Sequence, residues 1–238
     1  MIKKVSVAMA TYNGEKYIKE QITTILNNLK ENDELVISDD GSKDNTINII
    51  KSFNDKRIKL VDGPKMGLKQ NFNNAIKNTT GDYIFLSDQD DIWLPNKVDK
   101  MLEAFEKNNY ILIQHDAIVV DENDNVIFES FAEHRKVKTG IIKNLIKNSY
   151  HGCCIAFRKE LKDKILPIPD EIYLHDQWIG MIAEVEGKTK FLEQKLMKYR
   201  RHSANTSSFK HFTFKVMFKN RLGYLRALLN YYKRRKRC

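Results

Sequence analysis

The sequence predicts an α/β fold in which a mainly parallel central sheet is flanked by helices and ends in a basic helical tail. Three observations carry this. Strand-like and helix-like patterns alternate through the first half, the signature of βαβ units. Polar, aspartate-rich loops follow successive strand patterns, where ligands of such sheets sit. A chain of 238 residues with 42% hydrophobic content and no Gly/Ser linker fits one large domain with its own core.

The elements follow in order. "KVSVAMAT" reads as a strand, and "EKYIKEQITTILNNL" as a helix with Tyr17, Ile18, Ile22, Ile25 and Leu29 on one face. "ELVISDD" is a second strand and "DNTINIIKSF" a second helix, with Asp44 placed to cap it. "RIKLVDG" is a third strand, "GLKQNFNNAIKNTTG" a third helix with Gly81 as its stop, and "DYIFLSD" a fourth strand. "LPNKVDKMLEAFEKN" reads as a helix with Pro95 in its first turn. Beyond it the pattern becomes mixed, with strands "YILIQHDAIVVD" and "NVIFES" across a polar turn. The final stretch from Phe209 mixes aromatic and aliphatic residues with Lys and Arg at helical spacing, as interfacial helices do.

The formal charge is +10, densest in "YYKRRKRC", so an anionic partner is expected: a phosphate-rich substrate, an anionic membrane or nucleic acid. The opening residues are too short an apolar run for a signal peptide and no run reaches membrane-span length, so a cytosolic location is expected. Cys153, Cys154 and Cys238 lack metal-type spacing, and the first two read as small buried residues.

Chemistry concentrates at the strand ends. In "YIFLSDQDDIWLP", Asp88, Asp90 and Asp91 stand at the end of a buried strand, where their repulsion is costly unless a cation or donors compensate. Oxygen ligands suit magnesium or manganese, with substrate phosphates completing the shell. The alternative is a solvated acidic turn with Asp91 at a helix start. "VISDDGSKDNT" places Asp39 and Asp40 beyond a second strand, where Gly41 permits a sharp turn and a base or ribose could be held.

"VSVAMATYNGEKYI", "VISDDGSKDNT" and "GDYIFLSDQDDIWLPNKV", in this order and spacing, resemble family 2 glycosyltransferases, whose fold is the Rossmann-like, nucleotide-binding GT-A fold. "HGCCIAFRKEL", "HDQWIG" and "YRRHSANTS" are similar to the bacterial rhamnosyltransferase-like branch, so the resemblance covers about residues 2–207. It implies a GT-A domain over 1–207, with a nucleotide-sugar-binding half (1–100), an acceptor-binding half (101–207) and a basic extension at 208–238. It further implies that Thr11, Tyr12, Asn13 and Asp40 hold the nucleotide, Tyr12 by stacking on the base. Asp88 is expected near the ribose, Asp90 on the metal (Mn2+ or Mg2+), and Asp91 in support. Direct displacement at an anomeric carbon needs a base for the acceptor hydroxyl, and the resemblance points to Asp176; the residue alone reads equally as a helix cap.

Arg200, Arg201 and His202 offer cationic donors for the departing diphosphate, Arg201 among them; the resemblance implies that His202 reaches the metal or the diphosphate, while a lone histidine reads equally as a surface or packing residue. Gly152 would let backbone approach a sugar, or simply turn the chain into a core strand. Trp93 and Trp178 could cover sugar faces, or pack in the core. The reading is therefore an inverting, metal-dependent transferase moving a sugar, with rhamnose as the branch's hint, from a nucleoside diphosphate to a surface glycan or lipid-linked acceptor. Peripheral contact with an anionic membrane is expected through the tail, the alternative being a C-terminal helix pair packed on the domain, and no nucleic acid partner is expected; the rival readings of the chain are a basic nucleic-acid-binding module, a nucleotidyltransferase or a non-catalytic relative.

Overall fold

The computed structural model describes residues 3–138, 140–203, 205 and 214–235. Its first half is strictly alternating: β1 (Val5–Thr11), α1 (Ile18–Leu26), β2 (Glu34–Asp39), α2 (Thr46–Ser52), β3 (Ile58–Asp62), α3 (Leu68–Lys77) and β4 (Tyr83–Ser87). The order in the sheet is β3-β2-β1-β4, all parallel. Every residue of β1 is buried because helices cover both faces, which is why "VSVAMAT" is apolar without alternating with charge. Val5, Val7 and Met9 point to a core built with Ile18, Ile22 and Ile25 of α1. Ala8 and Ala10 point the other way, to Phe72, Ala75 and Ile76 of α3.

The second half is mixed: β5 (Ile92–Trp93), α4 (Lys97–Lys107), β6 (Tyr110–Val120), β7 (Val126–Phe128), α5 (Phe131–Arg135), α6 (Ile141–Ile146), a 3-10 turn (Gly152–Cys154) and β8 (Ile155–Arg158), then α7 (Lys162–Ile165), α8 (His175–Glu186), β9 (Lys188–Arg200) and α9 (Phe214–Arg235). The sheet continues from β4 through β8, β6 and β9 to β5, with β7 on β6, giving nine strands among the described residues. β8 runs antiparallel to β4 and β6, whereas β6 and β9 are parallel. One sheet thus runs through both halves, and the acidic loop 88–91 bridges β4 to β5 at the far end of the strand order.

Two sequence expectations are corrected. Pro95 lies outside α4, which begins at Lys97 with Asn96 in a left-handed conformation (φ 65°), because Ile92 and Trp93 pair with Lys198 and Met197 of β9 and are drawn into the sheet. Gly81 does not stop α3, which ends at Lys77 and closes through Asn78. Gly81 is instead a point of close approach: a Cβ there would sit 2.7 Å from Ser6 N and 2.9 Å from Lys4 O. The predicted tail helix is present as α9, while residues 208–213 and 236–238 lie outside the described residues.

Since backbone atoms block that Cβ, Gly81→Ala is expected to cost about 1–3 kcal/mol of stability, read as a lowered urea midpoint with an unchanged slope.

Candidate active site

The loop after β4 is fastened by its backbone. Gln21 of α1 donates to Ser87 Oγ (2.8 Å) and to the Asp88 carbonyl (3.0 Å). At the end of β9, Arg200 Nε donates to the Asp90 carbonyl (3.0 Å) and Arg200 N to Asp91 Oδ1 (3.1 Å), while its Nη2 pairs with Glu20 (2.5 Å). Gln89 turns toward β1: its Oε1 accepts from Thr11 Oγ1 (2.5 Å) and Tyr12 N (2.9 Å), and its Nε2 donates to Tyr12 O (3.1 Å). Gln89, between Asp88 and Asp90, is therefore the bolt between two loops.

The carboxylates are left to face one another. Ligand atoms of Asp88, Asp91 and Cys153 lie within 4.8 Å of one another. Burial, then repulsion from Asp90 and Asp176, pushes Asp88 up to about 7. Burial and repulsion from Asp90 and Asp88 likewise hold Asp91 well above the ordinary carboxylate range. Asp91 Oδ2 is buried with no hydrogen-bond partner. Behind them lies Lys97, 1% exposed, its Nζ 3.0 Å from the Cys153 carbonyl and 4.0 Å from the centre of the Trp93 ring. Burial pulls Lys97 down to about 8, and among the described residues no carboxylate comes within ion-pair distance of it.

Asp90 is met from the C-terminal side. His202 Nε2 lies 2.8 Å from Asp90 Oδ2, and Asn205 Nδ2 donates to the same oxygen at 3.1 Å. Asn205 Oδ1 also accepts from His202 N (2.7 Å), and the His202 ring lies against Tyr17, centroids 4.6 Å apart. Carboxylate oxygens with one imidazole fit a hard divalent cation such as Mn2+ or Mg2+ better than a soft one. Arg201 directs Nη1 to Tyr199 OH (2.9 Å).

The strand-end loops of β1 and β2 are stitched together. Asn13, at φ 49°, donates its N–H to Ser42 Oγ and accepts from Lys43 N, both at 2.8 Å. Asp39 is buried and turns its own loop, accepting from Gly41 N (3.0 Å) and Ser42 N (2.8 Å). Asp40 accepts from Lys65 N (2.6 Å) and Gly67 N (2.7 Å), tying in the loop after β3. Asn71 of α3 donates to the carbonyls of Thr11 and Ser38, closing the same edge. Asp44, one residue before the cap of α2, accepts from Thr46 N (3.0 Å). Thr11 is buried, whereas the Tyr12 ring is 51% exposed above the loop and available for stacking.

Asp176 is the second residue of α8, inside the first turn, with Leu174 at the cap. Its Oδ1 accepts from Gln177 N (2.6 Å) and Asn148 Nδ2 (3.3 Å). Burial raises it to about 6, against the lowering effect of those donors and of Gly152 N–H. A Cβ on Gly152 would lie 3.1 Å from His175 Nε2 and 3.7 Å from Asp176 Cβ, so the glycine makes room for α8. The adjacent imidazoles are held neutral by burial, His151 at about 3 and His175 at about 4.

Both tryptophans are corrected: neither covers an open cleft. Trp178 is buried in the core with its N–H on the Ile165 carbonyl (3.0 Å), and Trp93 is buried against Phe85 and Lys97. Large indoles following an acidic motif fill the core beneath it because the chain turns inward there. The structure adds Gln89, Lys97, Asn148 and Asn205. Gln89 and Asn205 sit inside quoted motifs; nothing marks Asn148 or distinguishes Lys97 from a solvated helix lysine.

The comparisons with known proteins agree with this geometry. The family model for glycosyl transferase family 2 matches residues 6–166. The dTDP-rhamnosyl transferase RfbG of Shigella flexneri is 29% identical over 234 residues, covering 92% of this chain and 79% of the relative. The UDP-Glc:alpha-D-GlcNAc-diphosphoundecaprenol beta-1,3-glucosyltransferase WfgD of Escherichia coli is 33% identical over 150 residues, 63% of this chain and 57% of the relative. The fold is that of S. aureus TarS 1-349, crystallised in complex with UDP-GlcNAc (TM-score 0.73, 18% identity, 92% of this chain and 64% of that one). The chain spans about two thirds of the length of the curated relatives it matches.

A carboxyl whose folded pKa lies above its unfolded value loses stability as pH rises from about 4 through the folded value. For Asp88 that window closes at about 7. In chelator, Asp88→Asn is therefore expected to raise Tm by a few degrees at pH 8, with the gain shrinking toward pH 5; a pH-independent difference would contradict the raised pKa.

Proposed function

We propose the following activity for this chain, which belongs to glycosyl transferase family 2: it transfers a sugar, with inversion, from a nucleoside diphosphate donor to a hydroxyl of a glycan or lipid-linked acceptor. The observation that carries the reading is that the acidic loop at the end of β4 and Asp176 at the start of α8 converge on one short turn: Asp88 and Asp91 come within 4.8 Å of Cys153, and the adjacent Gly152 lies against Asp176.

In the reaction, the acceptor oxygen forms a bond to the anomeric carbon as the bond to the diphosphate oxygen breaks. Asp176 takes the acceptor hydroxyl proton, a role suited to a carboxylate whose pKa stands at about 6, high enough to accept a proton and low enough to be ionised at neutral pH. Asn148, Gly152 N–H and the turn of α8 orient that carboxylate. Tyr12 stacks on the base, and the Asn13 and Asp40 loops shape the nucleotide pocket. Asp90, with His202, would hold Mn2+ or Mg2+ with Asp91 in support, and Asp88 is assigned to the ribose side of the donor. A divalent ion there supplies charge stabilisation for the departing diphosphate. Arg201 is assigned to the diphosphate. The division into a nucleotide-sugar half (1–100) and an acceptor half (101–207) follows the same reading.

Rhamnose from dTDP-rhamnose is the first donor to test, by analogy with RfbG. A diphosphoundecaprenol-linked acceptor is supported by the relative WfgD. Our reading assigns the reaction to the synthesis of a bacterial surface polysaccharide at the inner face of the cell membrane. No helix among the described residues is long and apolar enough to cross a membrane.

A panel of sugar nucleotides with synthetic polyprenyl-diphosphate-sugar acceptors, assayed with Mn2+, Mg2+ or chelator, tests the reading. One donor is expected to be consumed only with metal present, and its absence across the panel would overturn the assignment. Asp176→Asn is expected to lower kcat by about 10²–10⁴ with little change in donor KM. Asp90→Ala is expected to abolish metal-dependent donor binding in calorimetry. Because the base must be ionised, kcat/KM of the parent is expected to fall on the acid side as pH drops through about 6.

A further inference from the structure

α9 has two unlike faces. On one, Tyr224, Ala227 and Leu228 are buried in the core, Gly223 lies against the Glu171 carbonyl, and Tyr224 OH bonds both the N–H and the carbonyl of Leu174 just ahead of α8. On the other, Phe218, Leu222, Leu225, Leu229 and Tyr232 are exposed, Phe218 to 56% and Leu229 to 60%. Their alternating four- and three-residue spacing draws one stripe along the helix, about 21 Å long at 1.5 Å per residue. Lys219, Arg226 and Lys233, each seven residues apart and all exposed, run along one edge of it.

α6 lies against α9. Arg221 Nη2 of α9 donates to the Ile146 carbonyl at the end of α6 (2.8 Å). Ile142 and Ile146 of α6 stand 77% and 64% exposed, interleaved with exposed Lys143 and Lys147. Neither α6 nor α9 contains an Asp or Glu.

We propose that this two-helix face docks on an anionic lipid surface. The charge pattern selects the occupant. A second copy laid on the stripe, parallel or antiparallel, would bring cations against cations with no acidic residue on either helix to pair with them. Lipid headgroups meet the lysines and arginines, and the stripe enters the headgroup–acyl boundary at the depth an interfacial helix reaches. α9 also contacts the chain at Leu174, two residues from Asp176, so docking here would set the acceptor end of the site close to the bilayer. Choosing lipid over a protein partner leans on the lipid-linked acceptor proposed above. Vesicle binding needs no turnover, so either idea can fail alone.

The test is sedimentation of the full chain with phosphatidylcholine vesicles, with and without phosphatidylglycerol. Partitioning is expected to be at least about tenfold stronger on the anionic vesicles and to weaken with salt. Leu225→Ser/Leu229→Ser, and separately Lys219→Glu/Arg226→Glu/Lys233→Glu, should each reduce it by about tenfold or more, with Tm held within a few degrees because all these side chains are exposed. Binding that is absent in the parent, or unchanged in both variants, overturns the proposal. So does a concentration-dependent dimer in sedimentation velocity that Leu225→Ser/Leu229→Ser abolishes, since that assigns the stripe to a second copy.

Discussion

The structure is organised around an unpaid electrostatic conflict at the end of β4, where several carboxylates share a buried space. The neighbouring side chains fix the loop without neutralising it. Gln21 and Arg200 Nε bond its carbonyls, the Arg200 guanidinium spends its charge on Glu20, and Gln89 bonds the loop of β1. Lys97, the buried cation beneath, is itself pulled down by burial and points at a carbonyl. Fastening by backbone keeps the carboxyl groups of Asp88 and Asp91 crowded together with raised proton affinity, a strain that a cationic ligand would relieve, while Asp90 meets His202 and Asn205; the arrangement suits a recognition site better than a structural cluster.

The same device recurs in the loops after β1, β2 and β3. Asn13, Asp40 and Asn71 each direct side-chain oxygens or amides to main-chain groups of an adjacent loop, and Asp39 does so within its own. Three strand ends are thereby locked into one rim before any ligand arrives. In the proposed reaction their contribution is pre-organisation of the pocket, and Tyr12, projecting from that rim, is left as its free aromatic surface.

Much of this was legible in the sequence where local pattern and tertiary environment agree. β1, β2 and β4 show as apolar runs because both sheet faces are covered, and the polar residues after them lie at one edge because the strands are parallel. The misassignments share a cause: contacts distant in sequence. Ile92 and Trp93 look like the start of a helix until β9, a hundred residues later, pairs with them and moves Pro95 outside α4. Gly81 looks like a helix stop, yet its smallness answers to Ser6. Gln89 reads as the spacer of a motif, and only the approach of the β1 loop reveals its role. Lys97 is invisible as a buried cation because a lysine in a first helical turn normally faces water.

Asp176 shows how the two halves become one device. The first turn of α8, with its aligned N–H groups, favours an ionised carboxylate, and Asn148 and Gly152 add donors. Desolvation outweighs them and leaves the group raised, to about 6. Asp88 feels the charge of Asp176 as well as that of Asp90, so in the proposed reaction the charge state of the acidic loop bears on the group assigned as base. Positive charge drawn to the loop lowers the proton affinity of every carboxylate in reach, Asp176 included. In the proposed reaction a base facing an unoccupied loop would hold its proton more tightly than one facing a neutralised loop. In that reading the carboxylates of the donor side help to ready Asp176, and the coupling requires only that these groups remain mutually close.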